Sequence, residues 1–325
     1  MGDFSNKPLI IILGCTGTGK TEYSIRISNF LKDKGFNSEI VGADARQIYK
    51  EVSIGTAKPS CLERNQIKHH MVDFLSPHEE YNVSLYANDC LDVLNDIYRR
   101  NVFPILVGGS GLYIQSLVEG IFDGPSSDSC IRNNLMEDYE KNGADYMHEI
   151  LDDIDPDSAK RIHPNDKRRL IRALEVFQIS GHPLSKFQNQ NSNPRFENPL
   201  YIGLSLSKED LNFKIEKRVR KMLNSGMVKE SEFLVKESLQ NSRVFEGLGF
   251  TEAFMLSKKE IDYETAVEKI CTLHRQYAKR QRTWFDKNPL IHWFDLNDFK
   301  EDVLVENLSS LILEYIDKKN YKELF

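Results

Sequence analysis

The stretch that most constrains the fold is Gly14-Cys15-Thr16-Gly17-Thr18-Gly19-Lys20-Thr21. An unbroken apolar run, Leu9 to Leu13, precedes it, and Tyr23, Ile27, Phe30 and Leu31 follow at helical spacing. Strand, glycine-rich turn and helix form the context that a G-x-x-x-x-G-K-[ST] phosphate loop requires. Glycines let the backbone curl until its N–H groups point at an anion. The helix N-terminus adds partial positive charge. Lys20 supplies a full charge, and the Thr21 hydroxyl is placed to ligate Mg²⁺. The pattern predicts an α/β fold with a parallel sheet of the phosphate-loop kind, holding a diphosphate or triphosphate. It does not say what is done with that group.

The 325 residues suit one large domain or two modest ones. A net charge of −6 gives no global basic field, so nucleic-acid contact must come from local patches. No apolar run approaches the roughly 18 residues of a membrane span. The first residues run straight into the first strand, which predicts no signal or transit peptide and a cytoplasmic location. Five cysteines (Cys15, Cys61, Cys90, Cys130, Cys271) are scattered and never spaced as C-x-x-C, so they read as reduced thiols with no zinc site.

Glu39 to Ala43 reads as a second buried strand with Asp44 at its carboxyl end. Ligands of open α/β sheets bind outside the carboxyl ends of the strands, so Asp44 and the phosphate loop should share one rim. There Asp44 either handles a proton or metal, or caps a helix. Ser84 to Arg100 is helical by periodicity, with Ser84 as a candidate cap. Phe103 to Val107 is a third strand, ending in Gly108-Gly109-Ser110-Gly111, a turn open either to a ligand or to nothing. ATP-hydrolysing phosphate-loop enzymes commonly end such a strand in a metal-holding Asp. Met71 to Leu75, with Asp73, is a short substitute.

From Asp123 to about Pro199 the chain turns polar with helical spacing, and we expect a mostly helical insertion over 123–199 into a core formed by 1–122 and 200–325. Asp166 is placed to cap a helix carrying Arg169 and Arg172 on one face, either to grip phosphates or as a solvated salt-bridged surface. A polar loop spans Asn189 to Asn198, and Tyr201 to Leu204 returns as a strand. A long charged helix over Ser207 to Lys236, broken near Gly226, carries Arg218. A second basic helix over Ile261 to Asp286 mixes Arg275, Lys279, Arg280 and Arg282 with Tyr277 and Trp284. Basic and aromatic residues interleaved suit nucleic acid, and they suit plain amphipathic packing as well. Ile291 to Phe294 closes the sheet before an acidic helical tail.

Together these motifs resemble the tRNA dimethylallyltransferases, or tRNA isopentenyltransferases, over about residues 8 to 295. The matching segments are the phosphate loop, Asp44-Ala45-Arg46-Gln47-Ile48-Tyr49, Ile54 to Ser60, His69-His70, Gly108 to Tyr113, His163 to Asp166, Arg168 to Val176 and Arg275 to Trp284, all in family order. The resemblance implies transfer of a five-carbon allylic group from dimethylallyl diphosphate to N6 of adenine 37 of tRNAs reading codons that start with U. It implies Mg²⁺ at Thr21, a diphosphate held by residues Gly14 to Thr21, and a helical insertion that grips the anticodon stem-loop. Asp44 resembles the general base, and Thr16, Lys20 and Arg218 resemble the residues that neutralise the departing diphosphate. Asp44 to Gln47, Ser110, Arg168, Arg169, Arg172, Gly249, Phe250, Arg280 and Gln281 match places where relatives touch tRNA. No membrane and no protein partner is implied. Cys15, Ala45 and Glu246 depart from the family's usual proline, serine and basic residue. The lack of a C-terminal zinc finger points to the bacterial type. The rival within the same chemistry is a free-nucleotide isopentenyltransferase acting on AMP, ADP or ATP, whose bacterial forms are shorter and lack the insertion.

Overall fold

A computed structural model describes residues 3–120, 124–189, 194–318 and 321. In chain order the elements are β1 (Ile10–Gly14), α1 (Lys20–Asp33), β2 (Ser38–Ala43), α2 (Cys61–Gln66), β3 (His69–His70), α3 (Val83–Arg99), β4 (Phe103–Gly108) and α4 (Gly111–Val118). Five helices follow: α5 (Ser129–Asn142), α6 (Ala144–Ile154), α7 (Pro156–Ala159), α8 (Lys167–Ser180) and α9 (Leu184–Asn189). The chain then forms β5 (Leu200–Ser205), α10 (Lys208–Met222), α11 (Val228–Lys236), α12 (Phe250–Ser257), α13 (Tyr263–Phe285), β6 (Ile291–Asp295) and α14 (Glu301–Lys318).

The strands form one sheet in the order β3-β2-β4-β1-β5-β6, and every pairing is parallel. Both faces are covered, which is why the central strands read as continuous apolar runs. Ile11 and Leu13 point into one core with Tyr86 of α3, Tyr113 of α4, Ile215 of α10 and Ala278 of α13. Ile10 and Ile12 point into the other, with Ile27 and Leu31 of α1 and Leu304 and Leu308 of α14. The loops after β1, β2 and β4 therefore open on one rim, with the first and third on adjacent strands.

By contacts the chain divides into two compact units: Met1–Val118 with Pro194–Phe325, and Glu119–Asn193. Residues 194–199, expected with the insertion, pack with the sheet unit. The Arg195 and Glu197 amides donate to the Val118 and Ser5 carbonyls, and the Phe196 ring, 1% exposed, meets Phe4. The other unit is helical, with its own core of Leu135, Met147, Leu151, Leu170 and Leu174. Asp166 caps α8 by accepting the Arg169 amide at 3.3 Å. Part of the expected Asn189 to Asn198 loop lies outside the described residues.

Three local expectations are corrected. Asn82, not Ser84, caps α3, accepting the Ser84 and Leu85 amides at 2.9 and 3.0 Å. The strand beside β2 is His69–His70; Met71 and Asp73 have φ of 56° and 63°, which no extended run accommodates. Asp73 is no metal carboxylate either. Lys58 Nζ and Arg64 Nη1 donate to its two oxygens at 2.6 and 2.8 Å. The long charged helix, by contrast, breaks where expected: α10 and α11 are joined over Leu223–Met227, where Gly226 takes φ of 123°.

Candidate active site

β1 ends in Gly14 at φ 153°, where a Cβ would lie 2.5 Å from the Leu204 carbonyl oxygen and 3.0 Å from Thr18 Oγ1. Gly17 and Gly19 hold positive φ and turn the chain into α1. Thr18 Oγ1 donates to the Cys15 carbonyl at 2.9 Å. Lys20 Nζ lies within the loop and donates to the Gly14 and Cys15 carbonyls at 2.9 and 2.8 Å. Burial and the neighbouring Arg218 charge push the Lys20 pKa down to about 8, against the pull of Asp44. A bound anion would offset both costs.

Asp44 follows β2, half-buried, and its Oδ1 accepts the Arg46 amide at 2.8 Å. Across the rim, Ser110 Oγ accepts the Ala45 amide at 3.0 Å, and the Ser110 amide donates to Ala43 at 3.1 Å. The β2 and β4 loops are thus tied together beside the carboxylate. Arg218 comes from α10. Burial lowers its pKa and the Asp44 charge opposes the shift, which places the two side chains in one field. Thr16, Lys20, Thr21, Asp44 and Arg218 all line one cavity of about 490 Å³.

Helix α13 is the wall that sequence reading undervalued. Gln281, matched to a tRNA contact, is 6% exposed and spends its amide internally. Its Oε1 accepts the Thr16 amide at 2.8 Å and its Nε2 donates to the Gly109 carbonyl at 2.9 Å. One side chain joins both glycine turns. Cys15 Sγ donates to the Ala278 carbonyl of the same helix at 3.2 Å. Tyr277, one of the aromatics interleaved with the basic residues, lines the cavity, and so does His274, which carried no motif; the spacing 274, 277/278, 281 on one helical face was the available signal.

Other expected contacts separate. Arg46, Gln47 and Arg280 line the cavity, and the exposed Arg280 guanidinium lies over the Tyr277 ring. Gln47 donates its amide N–H to the Ala57 carbonyl at 2.9 Å. Gly249 is the left-handed residue that starts α12, at φ 106°. Phe250 lines the cavity too, though it is 1% exposed and packs its ring on Gly55 as part of the core. In the helical unit, Arg168 and Arg169 are exposed. Arg172 is turned inward: it donates to the fully buried Glu175 at 2.8 Å and to the Pro125 carbonyl at 2.7 Å.

Glu230 of α11 was not anticipated. Its carboxylate accepts the Ser53, Ile54 and Gly55 amides at 2.7, 2.8 and 2.8 Å. These three bonds hold the segment whose Gly55 to Pro59 form one wall of the cavity. Glu230→Ala strands three donors, so we expect a stability loss of about 1–3 kcal/mol and a raised KM with kcat less affected. Thermal unfolding with steady-state kinetics checks it; an unchanged KM would show that this wall does not touch substrate.

A parallel sheet carrying a glycine loop, a half-buried lysine, an arginine and a carboxylate on its carboxyl rim defines an α/β protein of the phosphate-loop type. The chain belongs to the IPP transferase family, whose model matches residues 47–288. It is 38% identical to the tRNA dimethylallyltransferase of Finegoldia magna over 98% of both chains. It resembles the full-length tRNA isopentenylpyrophosphate transferase of Bacillus halodurans, with a TM-score of 0.71 and 29% identity over 98% of this chain and 100% of that one. A eukaryotic dimethylallyltransferase acting on tRNA matches with a TM-score of 0.76 and 31% identity, over 89% of this chain and 74% of that one. No helix among the described residues is long and apolar enough to cross a membrane.

Proposed function

We propose that this protein transfers a dimethylallyl group from dimethylallyl diphosphate to N6 of adenine 37 in tRNAs that read codons starting with U, and releases diphosphate. One observation carries the reading: a carboxylate, Asp44, and two cations, Lys20 and Arg218, address a single cavity at the mouth of a phosphate loop. N6 attacks the allylic carbon, the carbon–oxygen bond breaks, and its electron pair leaves on the diphosphate. Asp44 takes the N6 proton. The loop amides, Thr16, Lys20 and Arg218 receive the developing negative charge, the kind of preorganised electrostatics that most strongly lowers such barriers.

The donor set fits magnesium that arrives with the diphosphate. Thr21 offers one hydroxyl at the cavity, no cluster of three or more acidic, His or Cys side chains stands among the described residues, and Mg²⁺ commonly keeps waters and phosphate oxygens as its other ligands. When bound, the ion supplies Lewis-acid stabilisation of the leaving group. Arg168 and Arg169 on α8, with Arg46 and Arg280 at the cavity, are the cations we assign to tRNA phosphates and bases. The adenine must leave the anticodon-loop stack to reach Asp44. The compartment we assign is the cytoplasm.

The test is transfer of labelled dimethylallyl group to two acceptors side by side: an unmodified anticodon stem-loop with adenines at positions 36 to 38, and AMP. Label is expected on the stem-loop alone. Label on AMP would make the protein a free-nucleotide prenyltransferase, and label on neither would remove the prenyl-transfer reading.

A further inference from the structure

His274 on α13 is 2% exposed, yet it lines the candidate active site. Its Nε2 stands 3.3 Å from the Leu248 carbonyl, which can only accept, so Nε2 carries the proton. Nδ1 of the neutral ring is then a bare acceptor, and it is buried with no partner. Arg218 Nε, a donor, is likewise buried with no partner. The two residues project from helices that pack on each other, α10 and α13, into the same cavity. Burial and then the Arg218 charge push the His274 pKa down to about 4, so the ring stays an acceptor at neutral pH. An orphan acceptor and an orphan donor in one pocket are complementary, and each costs free energy until it is paired.

We propose that His274 is a positioning residue for diphosphate binding: its Nδ1 and Arg218 Nε, not bonded to each other in this structure, pair when a diphosphate draws the guanidinium toward the phosphate loop, so that the Nη groups face the anion. The assignment rests on the diphosphate reading of the site. A neutral partner suits this role. A carboxylate in its place would pair with the guanidinium and cancel the charge the leaving group needs, whereas imidazole fixes the fork and leaves its charge intact. Gln281 does comparable work one helical stretch further on, aligning the loops through neutral bonds.

The experiment is calorimetric titration of magnesium and inorganic diphosphate into the full-length protein and its variants. His274→Leu fills similar volume with no acceptor and is expected to weaken diphosphate binding about tenfold or more. His274→Asn keeps an acceptor near the Nδ1 position and should stay within about threefold of the parent. Arg218→Lys removes the Nε–H while keeping the charge, and in that background His274→Leu should add nothing, since the pair acts as a unit. Melting curves on each variant confirm folding. Wild-type affinity in His274→Leu, equal loss in His274→Asn and His274→Leu, or effects that multiply in the double variant would each overturn the proposal. Failure of the wild-type protein to bind diphosphate would instead overturn the reading on which it rests.

Discussion

Asp44→Asn is expected to lower prenyl transfer by about 10²–10⁴-fold, the usual worth of a positioned general base. Asparagine preserves shape, and its Oδ1 can still accept the Arg46 amide now held at 2.8 Å, so the turn after β2 should survive. What disappears is the negative charge and the proton-accepting oxygen. An exocyclic amine conjugated into its ring is a poor nucleophile, so the proton has to leave as the new bond forms. Diphosphate binding should move the other way. Asp44 draws on both Lys20 and Arg218, and its neutralisation leaves those cations freer to hold an anion. The signature is a fall in kcat with an equal or lower inhibition constant for inorganic diphosphate, read in one set of steady-state assays. A variant with parental kcat would remove Asp44 from the chemistry.

The largest structural effect belongs to Gly108→Ala. Gly108 ends β4 and pairs with Ala43 of β2, and a Cβ there would lie 2.0 Å from the Ala43 carbonyl oxygen. That oxygen already accepts the Ser110 amide at 3.1 Å. The new Cβ is fixed to the backbone and meets main chain at the carboxyl ends of two paired strands, with no rotamer to yield. The loss should exceed about 4 kcal/mol, the range reserved for broken backbone or core geometry. Gly143→Ala is the control. Its Cβ would meet nothing within 4 Å, and only its backbone, at φ 87° and ψ 171°, opposes a side chain, which costs about 1–3 kcal/mol. Thermal melts of the two variants compare them directly, and similar melting temperatures would refute the argument from steric contact.

Much of the fold was legible because the relevant forces are short-ranged. Apolar runs at Leu9 to Leu13, Phe103 to Val107 and Tyr201 to Leu204 became the three adjacent central strands, since a strand covered on both faces needs apolar side chains on both. The glycine spacing from Gly14 to Gly19 encoded the positive-φ turn, and Asp166 encoded its helix start. Met71 to Leu75 misled because hydrophobic content says nothing about φ, and Asp73 is bound by Lys58, just before α2, and Arg64 of α2.

Side chains whose meaning depends on a distant partner were not legible. Phe250 and Gln281 both line the cavity, but their packing was not written locally: one fills the space over Gly55 and the other spans Thr16 and Gly109. For Arg172 the sequence left phosphate grip and salt bridge open, and the fully buried Glu175 is its salt-bridge partner. Glu230 and His274 carried no motif. Turns, caps and strand character arise from interactions within a few residues, so local sequence dictates them. A side chain's hydrogen-bond partner is chosen by how the chain packs, and in Gln281 that partner lies 265 residues away. Folding therefore decided which polar groups hold the site together and which remain available to a substrate.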